Sequence, residues 1–175
     1  MKTYIAAAVI LASATTAQAQ DEKHFDGAYL GGEIGYEDAR GGVDGVYLGA
    51  LAGYRVQKDS DLVFGIEGTF GKTFTDIEVI GDNFDGDYDH EWSIMGTVGK
   101  AFGAEKRSLI FLGAGFAQQK VTISTTNFSD SLTAETFAMA LGYERAIGKN
   151  LSLRLRATTY EYKTVTGTFG LGYRF

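Results

Sequence analysis

The side chains that could do chemistry are few. The 175-residue chain has no cysteine and two histidines, His24 and His90. A thiolate nucleophile, a disulfide and a cysteine-held metal are therefore excluded. His90 precedes Ser93 by three residues, which invites comparison with a serine nucleophile and its base. Both lie in a run of alternating apolar residues, and side chains three apart on a strand point to opposite faces. The pair fails as a nucleophile and base, and no motif joins Ser93 to His24. Carboxylates concentrate at Asp82-Asn83-Phe84-Asp85-Gly86-Asp87-Tyr88-Asp89. Aligning Asp85-Gly86 on the calcium-loop pattern puts Gly81 at the first ligand position and Trp92 at the bidentate Glu position. That pattern is broken, so the stretch reads as a solvated acidic loop. No catalytic residue, metal ligand or cofactor is expected.

A second set of charges is set apart by its neighbours. Glu33, Glu67, Glu144, Arg154 and Arg156 stand among glycines, alanines, serines, threonines and large apolar residues, Glu144 with Arg145 beside it. The surrounding period is two, repeated in eight segments. In the first, Ala28, Leu30, Gly32, Ile34 and Tyr36 oppose Tyr29, Gly31, Glu33, Gly35 and Glu37. The second sets Val46, Leu48, Ala50, Ala52 and Tyr54 against Tyr47, Gly49, Leu51, Gly53 and Arg55. The third and fourth place Phe64, Ile66 and Phe70, then Trp92, Ile94 and Val98, on the apolar side. Ile110, Leu112 and Phe116 do so in the fifth, where Leu109 and Phe111 blur the pattern. Phe137 to Tyr143, Leu151 to Ala157 and Val165 to Phe175 complete the series on alternate residues. Such alternation marks strands with one apolar face.

The connections alternate as well. They are short at 57–61, 103–107 and 148–150 and long at 73–90 and 118–133, the arrangement of a membrane barrel with short turns at one end. Which face is wet follows from the content of each. One face carries large apolar groups and hardly a charge, Lys100 near a turn being the main exception, where it could snorkel. The other is small and polar, suited to an eight-stranded lumen just wide enough to be filled by side chains. These features predict an all-β, eight-stranded antiparallel up-and-down transmembrane β-barrel. Glu33, Glu67, Glu144, Arg154 and Arg156 then form an interior charge cluster, because unpartnered buried charges cost several kcal/mol each. If the turn after Ile147 has three residues, Ile147 pairs with Leu151 and Glu144 stands opposite Arg154. A secreted lipocalin-like carrier, which buries its apolar face inward, is the competing reading.

Composition agrees. There are 24 Gly, no Pro, and 13% aromatic residues, and no apolar run is long enough for a membrane helix. With 16 basic and 22 acidic residues the formal charge is -6, which argues against a nucleic-acid partner. Lys2, the apolar stretch Ile5 to Ala14 and Ala17-Gln18-Ala19 read as a signal peptide over 1–19, leaving a barrel domain over 20–175.

The alternate residues Gly167, Phe169, Leu171, Tyr173 and Phe175 resemble the C-terminal signature strand that the outer-membrane insertion machinery recognises. Ala140-Leu141-Gly142-Tyr143-Glu144-Arg145-Ala146 and Leu151-Ser152-Leu153-Arg154-Leu155 resemble the small OmpA/OmpX-like barrels, and more closely the alphaproteobacterial outer membrane protein beta-barrel domain proteins. The resemblance implies a barrel in the outer membrane of a Gram-negative bacterium and brings no enzymatic activity with it. The expected role is envelope-stabilising, in a monomeric barrel that contacts outer-membrane lipid and lipopolysaccharide and whose interior charges block any large pore. Surface loops would be available to a host or a phage, so an adhesin is the alternative. A lipid A-modifying enzyme is a further one, undermined by the placement of His90 and Ser93.

Overall fold

Alternating residues become eight strands, each hydrogen-bonded to its neighbour in sequence, in a computed structural model that describes residues 23–39, 43–74, 85–125, 128–161 and 164–175. They are β1 (Gly27–Ala39), β2 (Val43–Gln57), β3 (Leu62–Phe74), β4 (Asp85–Phe102), β5 (Ser108–Thr125), β6 (Phe128–Ala146), β7 (Leu151–Tyr160) and β8 (Thr164–Arg174). Every pair is antiparallel, and β1 closes on β8 from Tyr29↔Arg174 to Ala39↔Thr164. Closure leaves no open edge, so the ladder satisfies the backbone groups that hydrocarbon could not.

Orientation follows the period-two pattern. Leu30, Ile34, Phe64, Ile66, Leu112, Phe116, Leu155 and Phe169 are exposed on the outer wall, while Glu33, Glu67, Arg154 and Arg156 are buried within. Leu109 and Phe111 point inward, so the fifth strand keeps Ile110, Leu112 and Phe116 on the outside despite its blurred pattern. A water-soluble carrier could not present this surface, and the lipocalin-like reading is overturned.

The long connections are shorter than the sequence suggests. The stretch 118–133, read as a loop, is mostly strand: β5 continues to Thr125 and β6 begins at Phe128. Asp85 to Asp89 of the acidic stretch likewise lie in β4, with a register shift between Tyr88 and His90. Asp82, Asn83 and Phe84 lie outside the described residues, as does the segment 1–19.

At the short-turn end the chain before β1 folds under the barrel. Phe25 is buried with Val63, Ala101, Leu109, Phe111 and Ala146. Its N–H donates to Gln57 Oε1 (3.0 Å), and the Gln57 N–H donates to Asp26 Oδ1 (2.7 Å). Arg174 holds the arm from β8, donating to the Lys23 carbonyl at 3.0 Å and to the Lys149 carbonyl.

Candidate functional site: a luminal ion-pair network

Lumen width and glycine placement decide what the interior can hold. Tyr47 is 1% exposed, and a Cβ on Gly49 or Gly71 would collide with its ring. Gly142 clears the Phe111 ring in the same way. The small residues noted in the sequence are therefore the seats of luminal aromatic rings.

Those rings frame six charges. Glu67 of β3 lies at the centre and is 2% exposed. Arg154 Nη2 approaches its Oε2 at 2.6 Å, Arg156 Nη1 reaches Oε1 at 3.1 Å, and Arg55 Nη2 lies 3.5 Å from Oε2. The Tyr29 hydroxyl donates to Oε2 at 2.5 Å. Arg156 also pairs with Glu33, whose other oxygen accepts from Thr168 at 3.1 Å. Glu144 accepts from Arg55 Nη1 and from the Ser152 hydroxyl, both at 2.7 Å. Three carboxylates thus meet three guanidiniums. The Arg55 guanidinium stacks over Tyr29 (4.4 Å) and Phe111 (5.1 Å), and that of Arg154 over Phe111 (4.6 Å). These π faces cover cationic surface that would otherwise need further acceptors.

The sequence-derived positions fall as follows. Glu33, Glu67, Glu144, Arg154 and Arg156 all lie in the lumen and are joined through Glu67 and Arg55. The register places Glu144 opposite Arg154, and the Ile147 N–H donates to the Leu151 carbonyl at 2.9 Å. Their shortest ionic contacts nevertheless run elsewhere: Arg154 to Glu67 and Glu144 to Arg55, both across the lumen. Arg55 was missed as a member of the set, although it shares the Gly49 and Gly53 face of β2. Glu37, bonded to Thr73 (3.3 Å) and Thr166 (3.1 Å), and Glu91, bonded to Tyr160 (3.2 Å), extend the polar interior toward the other end.

Ser93 is buried inside and shares a 2.7 Å hydrogen bond with Thr69, whereas His90 stacks on Phe70, an outer-wall residue (5.7 Å between centroids). The two lie on opposite faces. Among the described residues no group of three His, Cys, Asp or Glu side chains could hold a metal. Phe169, Leu171, Tyr173 and Phe175 face outward along β8, with Tyr173 and Phe175 edge-to-face at 5.3 Å. Gly167 shares that face, with nothing within 4 Å of a Cβ built on it.

This inside-out barrel matches the family model described as outer membrane protein beta-barrel domain over residues 5–175. The chain belongs to that family. It is accordingly an outer-membrane β-barrel of a Gram-negative bacterium, crossing the membrane with strands. Solved structures of the same fold include Ail, the attachment invasion locus protein of Yersinia pestis, at 18% identity and TM-score 0.56, covering 86% of this chain and 99% of Ail. Neisserial surface protein A is 16% identical, with TM-score 0.54 and coverage of 85% and 96%. The N-terminal barrel domain of Pseudomonas aeruginosa OprF is 14% identical, with TM-score 0.55 and coverage of 84% and 97%. No curated protein matches the chain in sequence.

Proposed function

We propose that this outer-membrane barrel is a closed, monomeric, non-enzymatic envelope protein whose role is architectural, with its loops available for recognition. The observation that carries the reading is the Glu67-centred network. Charges that pair with one another across the lumen form a plug of fixed dipoles rather than a wet channel. The arm bearing Phe25 closes the short-turn mouth beneath it. Recordings from the purified protein in planar bilayers test this: no steady conductance is expected, and a steady large conductance overturns the plug.

The remaining parts of the reading rest on the wall and the ends of the barrel. The outward residues Phe169, Leu171, Tyr173 and Phe175 suit recognition by the insertion machinery. The apolar belt suits outer-membrane lipid and lipopolysaccharide. An enzyme acting on lipid A would need a nucleophile beside a base, and Ser93 and His90 occupy opposite faces. An assay for acyl groups released from lipopolysaccharide should find none.

Adhesion through the loops is the second reading, favoured by the structural likeness to Ail, an attachment invasion locus protein. Host-cell binding by bacteria with and without the gene, scored beside envelope leakiness, separates the two roles.

A further inference from the structure

Lys100, the cation that interrupts the apolar face, is not used by the luminal network. It is exposed on β4, and its cross-strand neighbours are Leu62 and Ile110. One row lower, Phe102 pairs with Ser108 and Ser108 with Arg145, while Ile110 in Lys100's own row pairs with Tyr143. Lys100 and Arg145 therefore stand two strands apart laterally, about 10 Å, and two residues apart in height, about 7 Å. Between them lie Phe102 and Tyr143, with ring centroids 6.3 Å apart, and Ser108. Arg145 Nη1 donates to Ser108 Oγ at 2.7 Å, and Ser108 Oγ and the Tyr143 hydroxyl are 3.3 Å apart.

Two features make this patch a site. The carboxylates of the adjoining turns are taken, Asp61 by Lys106 (2.7 Å) and Glu105 by Arg107 (2.7 Å). Among the described residues neither Lys100 nor Arg145 has an ion-pair partner, and the one described hydrogen bond from Arg145 goes to a neutral hydroxyl. The patch also lies just above the turns that bound the short-turn end of the apolar belt. There, amphipathic rings sit at headgroup level and basic side chains on a protein wall attract anionic lipid.

We infer that Lys100 and Arg145 bracket the phosphate of an anionic phospholipid in the periplasmic leaflet, with Tyr143 offering its hydroxyl, the buried Ser108 holding the Arg145 guanidinium in place, and Phe102 packing the glycerol and upper acyl chain. Charge complementarity selects this occupant over a second copy of the barrel, because two such patches facing each other would oppose like charges. The inference rests on the membrane orientation and not on the plug, so conductance recordings leave it untouched.

The test is native mass spectrometry of the protein released from nanodiscs containing equal phosphatidylglycerol and phosphatidylcholine. One basic residue near a membrane surface favours an anionic lipid roughly fivefold, so the pair should give a retained-lipid preference of about 25-fold. K100Q/R145Q should bring it close to one, and each single substitution should remove about fivefold. K72Q, a cation near the opposite end of the wall, should leave it unchanged, as should the conservative K100R/R145K. Compact migration on unboiled gels verifies the fold of each variant, and the single substitutions keep the test alive if the double variant misfolds. An undiminished preference in K100Q/R145Q, an equal loss in K72Q, or displacement of the lipid by inorganic phosphate would overturn the assignment.

Discussion

Substitution of Glu67 by glutamine is the most direct probe of the interior. The change is isosteric and leaves an amide oxygen for Tyr29 and one guanidinium. It also turns an amide N–H₂ toward donors and leaves three guanidiniums facing two carboxylates, Glu33 and Glu144. Removing one partner of a buried ion pair costs about 3–5 kcal/mol, because the remaining charge stays desolvated. Glu67 has three cationic neighbours within 3.5 Å and is 2% exposed, so E67Q belongs at the upper end of that range. E144Q should cost less, because Arg55 keeps Glu67 at 3.5 Å. R154M should also cost less, because Glu67 retains Arg156 and Tyr29.

The double variant E67Q/R154M is the sharper measurement. It restores a two-to-two balance among Glu33, Glu144, Arg55 and Arg156, so its cost should fall below the sum of the single variants by about 1–3 kcal/mol. Urea titration in phospholipid vesicles, read as the fraction of compact species on unboiled gels, gives the free energies. An E67Q cost below about 1 kcal/mol, or strict additivity with R154M, would mean that lumen water already solvates these charges. The plug would then be the wrong description.

Three further outcomes follow from the geometry. F25A should free the arm beneath the barrel, losing about 3–5 kcal/mol of local docking. Trypsin would then cut after Lys23 faster while the barrel still migrates compactly; an unchanged cutting rate refutes the docking. G115A should destabilise by about 1–3 kcal/mol, since its Cβ would strike the Ile94 carbonyl. G32A, on the outer wall with the nearest atom 3.9 Å from a built Cβ, should be neutral or up to about 1 kcal/mol stabilising; equal urea midpoints for the two would refute the assignment of faces. Lys23 and Asp59 pair at 2.8 Å outside the membrane span, and their hydrogen bond raises the Lys23 pKa and lowers that of Asp59. Their contribution to holding the arm is therefore fully present between the ordinary Asp and Lys values. It is lost as pH falls through the depressed Asp59 value or rises through the elevated Lys23 value. Trypsin protection of the arm in a D59N variant should be weaker at neutral pH than with Asp59 present, and equal protection would refute the contribution of the pair.

Much of the wall was legible because a hydrocarbon solvent enforces it. Every second residue from Leu30 to Tyr36 or from Leu151 to Ala157 must suit lipid, and a short turn fixes the neighbouring register, as Glu144 and Arg154 show. Two things were not legible. The extent of β4, β5 and β6 beyond the apolar belt is carried by the hydrogen-bond ladder, while the sequence there no longer alternates between apolar and polar residues. The ion pairs were hidden for a different reason. Contacts such as Arg154 with Glu67 and Arg55 with Glu144 are chords across the lumen, set by strand tilt and closure of the barrel rather than by constant index sums between neighbours. Arg55 could still have been found by asking which luminal-face positions carry a charge at the height of Glu144.

The same chords explain an otherwise odd composition. Glycine weakens a strand, yet the chain carries 24 of them, and the described ones divide by face. Built Cβ atoms at Gly35, Gly49, Gly71, Gly115 and Gly142 collide with backbone or aromatic rings, while those at Gly32, Gly68, Gly96 and Gly167 meet nothing nearer than 3.7 Å. Luminal glycine is thus a condition for seating Tyr47 and Phe111, and those rings in turn narrow the lumen, Phe111 flanking the Arg55 and Arg154 guanidiniums. Replacing the rings would enlarge the interior, admit water and weaken each ion pair together. Stability and closure of this barrel therefore depend on the same side chains, and a variant that opens the lumen should unfold at lower urea as well. An opened Y47A/F111A lumen with an unchanged urea midpoint would break that link.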